Sequence, residues 1–164
     1  MIITEDSKEK HPLEFDNPMI ERVERKHIGI PNSRFSVDYG VRFKDGHCPQ
    51  VFFERKSLPD LFGTMGVGYK RFKRKMMACK DAGVTMILIV EGTFSKVQQW
   101  DNPKNPRQVL TGQAMVKKLC TLWHRYGLLT VYCKSRVEMA EYITRFYISL
   151  GQEYLRKQGK RRLG

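Results

Sequence analysis

The sequence predicts an α/β fold with a mixed central β-sheet flanked by helices. The run MILIV, Met86 to Val90, is apolar at every position and of strand length, which suits a strand covered on both faces. Two β-rich runs, FSVDYGVRF and VFFERK, bracket the turn-forming KDGHCP and so make a hairpin. Segments with apolar residues at helical spacing follow these runs and alternate with them, and strands and helices arranged this way around one sheet form an α/β layer structure. With 164 residues, 41% of them hydrophobic, the chain fits one domain with a real core.

Taken in order, Ile2 and Ile3 start a short strand, and EDSKEKHP reads as a loop running to Pro12. IERVERKHI, from Ile20 to Ile28, alternates in part and reads as a second strand whose charges face water. GIPNS is a turn cluster that leads into the hairpin. Ser57 caps a helix with Asp60 at its third position, and Gly63, Gly66 and Gly68 break the chain before the next helix. That helix, YKRFKRKMMACKDAG, places Tyr69, Phe72, Met76, Cys79 and Gly83 on a core stripe, with Lys70, Arg71, Lys73, Arg74, Lys75 and Lys80 on its other faces.

VTMILIVEG is the central strand, and TFSKVQQWDNPKNPRQV, rich in Asn, Pro and Gln, reads as a surface loop. Thr111 caps a helix bearing Met115, Leu119, Leu122 and Tyr126, and LLTVYC is a further strand. Ser135 and Glu138 form a capping box for a last helix along Met139, Ile143, Phe146 and Leu150. The domain is expected to span residues 1–150, and residues 151–164 form a basic tail that frays.

Thirty Lys and Arg against 17 Asp and Glu give a formal charge of +13, which favours a polyanionic partner, nucleic acid first. The four cysteines, at 48, 79, 120 and 133, contain no CxxC pair and no histidine at zinc-finger spacing, which fits a reduced, intracellular protein. His47-Cys48 lacks a second ligand pair and reads as a turn. No run is long enough to span a membrane, so no membrane partner is expected, and no secretory signal opens the chain. The absence of GxGxxG before a helix and of a Walker lysine argues against a Rossmann or P-loop enzyme.

Chemistry enters with a duplicated triplet. Glu-Arg-Lys occurs at 24–26 and again at 54–56, but only the second follows an apolar run, Val51-Phe52-Phe53. On a strand Glu54 and Lys56 share a face and Arg55 takes the other. Charges at the end of a buried strand need a reason. Phosphodiester hydrolysis near neutral pH supplies one: oxygen ligands for Mg²⁺ or Mn²⁺, and a cation that positions water or stabilises developing charge. Asp38, on the neighbouring strand, adds a second carboxylate and completes a D…ExK pattern. The alternative is a plain salt bridge between Glu54 and Lys56.

These residues resemble the XPF/Hef-like (ERCC-type) nucleases, within the restriction-endonuclease-like superfamily. Glu54-Arg55-Lys56 with Asp60 matches the ERKxxxD signature, and Val37-Asp38-Tyr39 is similar to its upstream GDY. EDSKEKHPLEF is similar to the opening DxRE motif, with Asp6 and Glu9 in the acidic positions. GYKRFKRKMMACKDAGVTMILIVEG is similar to the family's basic helix and the strand ending in EG. The chain departs from the pattern at Val37, where glycine is usual, at Lys8, where arginine is usual, and in the inserted PNSRF.

The resemblance implies a restriction-endonuclease-like sheet, metal ligation by Asp38 and Glu54, a catalytic lysine at Lys56, and site roles for Asp6, Glu9, Arg55 and Asp60. The implied cofactor is Mg²⁺, with Mn²⁺ able to substitute. The implied partner is branched double-stranded DNA, held through Lys70, Arg71, Lys73, Arg74, Lys75, Arg161 and Arg162, by a homodimer similar to archaeal-type Holliday junction resolvases. Fork or flap cleavage stays open as the alternative reaction. A catalytically silent DNA-binding subunit stays open as an alternative of another class.

Overall fold

The computed structural model describes residues 1–100 and 110–162, with side chains to residue 159. Six strands form one sheet: β1 (Ile2–Glu5), β2 (Arg22–Arg25), β3 (Tyr39–Arg42), β4 (Val51–Ser57), β5 (Thr85–Glu91) and β6 (Leu129–Cys133). They lie in the order β2-β1-β3-β4-β5-β6. The sheet is mixed: β1 is parallel to β2 and antiparallel to β3, β3 is antiparallel to β4, and β4, β5 and β6 run parallel. Five helices lie among the described residues: α1 (Leu58–Met65), α2 (Tyr69–Asp81), α3 (Phe94–Gln98), α4 (Gly112–Tyr126) and α5 (Arg136–Arg162).

The apolar run on β5 divides by its two-residue period. Met86, Leu88 and Val90 face a core shared with Leu61 and Phe62 of α1, Phe72 and Met76 of α2, and Met115 and Leu119 of α4. Ile87 and Ile89 face the opposite core with Tyr39, Phe53, Met139, Ile143 and Tyr147, so α5 covers that side. A strand with water on neither face gains nothing from alternation, and each large buried side chain contributes roughly 2 kcal/mol. Phe53 anchors the second core, with edge-on rings from Phe146 and Tyr147 at 5.3 and 5.4 Å.

Local signals set the boundaries. Ser57 Oγ accepts from the Asp60 amide at the start of α1, and Thr111 Oγ1 accepts from the Ala114 amide at the start of α4. Gly127 ends α4 in the left-handed region at φ 71°. Ser135 Oγ accepts from the Glu138 amide, whereas the Glu138 carboxylate reaches the Lys134 amide and not that of Ser135. Gly46, at φ 86°, turns the β3–β4 hairpin, as the KDGH stretch predicts.

Three expectations change. Gly63 lies inside α1, and the break falls at Gly66 to Gly68. The segment read as a surface loop opens instead with α3, capped by Thr93 and anchored by the fully buried Val97; its stretch 101–109 lies outside the described residues. The fraying tail is the continuation of α5, where Tyr154 stacks on His47 with ring centroids 4.2 Å apart. The Arg161 and Arg162 side chains lie outside the described residues. Among the described residues, no helix is long and apolar enough to cross a membrane.

Candidate active site

Asp38 immediately precedes β3, and its amide donates to the Phe53 carbonyl at 3.0 Å, which seats it beside β4. Its Oδ2 accepts the Arg55 amide at 2.7 Å. On β4 the two-residue period sends Glu54 and Lys56 toward α2 and Arg55 toward the other face, as the sequence predicts. Lys56 Nζ donates to Glu54 Oε1 at 2.6 Å and to the Arg55 carbonyl at 3.1 Å. Lys75, from α2, donates to the remaining Glu54 oxygen, Oε2.

Asp38, Glu54, Lys56, Arg71 and Lys75 line one cavity of about 350 Å³. Asp6, Glu9, Asp38, Arg55, Lys56 and Asp60 line an adjoining hollow of about 230 Å³. The fold therefore gathers residues from positions 6 to 75 around Asp38 and Lys56, which border both spaces.

The electrostatics are uneven across the two carboxylates. Burial, reinforced by the neighbouring Glu54 charge, pushes the Asp38 carboxyl up to about 7. Burial also disfavours the Glu54 charge, but the ammonium groups of Lys75 and Lys56 overcome it and hold that carboxyl below its usual range. The Lys56 ammonium is disfavoured by burial as well, yet Glu54 and Asp38 outweigh this and raise its pKa. An ionised Glu54 thus sits against a carboxyl that readily holds its proton.

This donor set fits a divalent cation. Mg²⁺ and Mn²⁺ take oxygen ligands, and Mg²⁺ commonly binds one or two carboxylates while keeping several waters. A cation between Asp38 and Glu54 would offset both the burial and the Glu54 charge that raise Asp38. No group of three or more His, Cys, Asp or Glu side chains suited to a metal occurs among the described residues, so water and substrate would complete the coordination.

The remaining site residues have other contacts. Asp6 is buried, its Oδ1 taking the Lys8 amide at 2.8 Å and its Oδ2 the Ile28 amide at 2.9 Å, with His27 Nδ1 at 3.1 Å. Glu9 Oε1 accepts the His11 amide at 2.8 Å and lies 3.8 Å from Arg55 Nη1. Asp60 is exposed, with Oδ2 accepting from Ser57 Oγ at 2.7 Å. Arg55 crosses to the far face and pairs with Glu91 Oε2 at 2.7 Å. Glu91 was not singled out in the sequence; its signal was its place at the end of the apolar strand, where a carboxylate needs a partner.

On α2, Lys70, Arg71 and Arg74 are exposed and Lys73 is half-buried, and none of the four forms an ion pair with another described residue. Lys75 departs from its expected place on the outer faces: it is 8% exposed and turned inward onto Glu54. The other triplet differs in every respect. Glu24 lies on the edge strand β2, where hydrogen bonds from Arg22 and Arg42 hold it below its usual pKa. Arg25 is exposed and lies 2.9 Å from Glu5.

No curated protein matches the chain. Among solved structures, XPF from Aeropyrum pernix is similar over 94% of this chain and 70% of its own, with 15% identity and a TM-score of 0.59. The same protein in complex with DNA matches over 92% of this chain and 66% of its own, with 16% identity and a TM-score of 0.60. At these identities the likeness shows the fold, a mixed sheet flanked by helices. The ERCC4 domain matches residues 5–146, nearly the whole of the sheet and the site. The chain belongs to the ERCC4 family.

Proposed function

We propose that the protein is a divalent-metal-dependent, structure-selective endonuclease that hydrolyses phosphodiester bonds in branched DNA. The observation that carries this reading is the meeting of Asp38, Glu54 and Lys56 at one cavity whose rim is the basic helix α2. Asp38 and Glu54 would hold Mg²⁺, or Mn²⁺ in its place. The cation would polarise the phosphate and activate water.

Each residue then has a defined task. Lys56 spends two of its three donors on Glu54 and on the Arg55 carbonyl, leaving the third for water or a phosphate oxygen in the cavity. Asp38 must lose its proton to act as a ligand, and the Arg55 amide holds its carboxylate in place meanwhile. Lys70, Arg71 and Arg74 contact phosphates and fix the duplex without reading its sequence.

The substrate is of Holliday-junction type, cut by a C₂ homodimer that presents two active sites to a two-fold symmetric junction. A second reading, fork or flap cleavage, is what the Glu54-Arg55-Lys56 signature with Asp60 suggests more directly. Cleavage of matched Holliday-junction, fork, flap and linear duplexes in Mg²⁺, Mn²⁺ and EDTA tests both. Metal-dependent nicking of branched DNA is expected, abolished in Glu54→Ala and kept in Glu24→Ala, with the substrate ranking deciding between the readings. Tight, salt-sensitive binding with no cleavage in any metal would instead make the protein a DNA-binding subunit.

A further inference from the structure

We infer that Lys75 is a positioning residue of the metal site: it holds Glu54 Oε2 in the place of a divalent cation and passes to a DNA phosphate when that cation binds. The inference rests on the metal-dependent reading above and adds to it a coupling between metal and DNA.

The geometry turns on one carboxylate with two ammonium partners. Lys56 covers Glu54 Oε1 and Lys75 covers Oε2, so a metal reaching either oxygen of Glu54 meets an ammonium, and the repulsion between the two positive charges favours the metal where that ammonium has left. Lys56 has a second hold on the Arg55 carbonyl, whereas Glu54 is the one hydrogen-bond partner of Lys75 among the described residues. Lys75 is therefore the one released. A buried ammonium cannot stay unpaired without a large cost, so its release needs a second anion.

Charge counting identifies that anion. Asp38 and Glu54, both ionised, balance Lys56 and Lys75, and a divalent cation adds two positive charges to a cavity whose lining also carries Lys8, Arg34 and Arg71. A phosphate diester supplies negative charge and oxygen acceptors. Arg71 lies four residues before Lys75 on α2, lines the same cavity and is exposed, so a phosphate at its guanidinium is within one helical turn of the freed ammonium. Metal and DNA then favour each other's binding, and by linkage the factor is the same in both directions.

The test measures binding apart from cleavage, in the intact chain. Mn²⁺ affinity without DNA is read by electron paramagnetic resonance for wild type, Lys75→Gln, Lys75→Met, Glu54→Gln and a control on α4, the exposed Lys117→Gln. Forked-DNA affinity is read by fluorescence anisotropy in Ca²⁺ and in EDTA. Removing a positive charge beside the metal should tighten Mn²⁺ binding by roughly ten-fold or more in the Lys75 variants and leave Lys117→Gln unchanged. The gain in DNA affinity from Ca²⁺ should shrink in the same variants.

Lys75→Gln keeps a donor for Glu54 and covers the case in which Lys75→Met does not fold. Unchanged or weaker Mn²⁺ binding in the Lys75 variants, with binding lost in Glu54→Gln, would overturn the inference and leave the metal reading intact. A wild-type protein whose DNA affinity ignores Ca²⁺ would overturn it also. Absence of Mn²⁺ binding in wild type and in every variant, with a DNA affinity that Ca²⁺ does not change, would overturn the metal reading itself.

Discussion

The Arg55 amide donates to Asp38 Oδ2 at 2.7 Å, so a backbone group of β4 fixes a carboxylate delivered by the lead-in to β3. The bond spans 17 residues of sequence and sets Asp38 beside Glu54 without drawing on Lys56 or Lys75. Each acid thus has its own support: a backbone amide for Asp38, two ammonium groups for Glu54.

Lys56 acts on the reacting phosphate more than on the grip. Lys56→Ala is expected to lower cleavage by about a hundred-fold or more while changing DNA affinity by less than about three-fold, since charge stabilisation is realised in the transition state. Single-turnover cleavage and anisotropy titration give the two numbers. Equal losses in both would make Lys56 a plain phosphate contact.

Asp38 should cost the fold stability at high pH. Its folded pKa, raised to about 7, exceeds the unfolded value, so the folded chain binds the extra proton and stability falls as pH rises from about 4 toward 7. Asp38→Asn keeps an acceptor for the Arg55 amide and carries no charge. It should melt a few degrees above wild type at pH 8, with the gap narrowing toward pH 5, and should not cleave DNA. A gap that stays constant with pH would show that Asp38 is not held protonated in the metal-free protein.

Arg55 braces the sheet from its other face. Arg55→Ala strands Glu91 and removes a cation near Glu9, and since Glu91 is partly exposed the loss is set at about 2 kcal/mol, below that of a fully buried pair. Glu91→Gln retains a hydrogen-bond acceptor and should cost less. Urea unfolding measures both, and equal costs would mean that the Arg55 charge contributes little.

The basic helix makes a graded prediction. Replacing Lys70, Arg71 or Arg74 by Gln should reduce the slope of log affinity against log salt by about 0.9 for each phosphate that is no longer neutralised. Lys75→Gln should change that slope less in EDTA, where its ammonium remains on Glu54. A slope indifferent to all four would place the DNA elsewhere on the molecule.

Periodicity, capping and turn chemistry are local, so the chain alone determined the six strands, the caps at Ser57 and Thr111, and the shared face of Glu54 and Lys56. The apolar run Val51-Phe52-Phe53 also separated the buried triplet from the one at Glu24, now seen on an exposed edge. The same local rules misplaced Gly63, α3 and the end of α5, because Val97 and Tyr154 find their partners only across the fold. Lys75 is the sharpest case. Helical spacing set it among five other basic side chains with nothing to distinguish it, and only the packing of α2 against β4 decided that this one turns inward, since a buried carboxylate draws whichever cation the tertiary structure brings within reach.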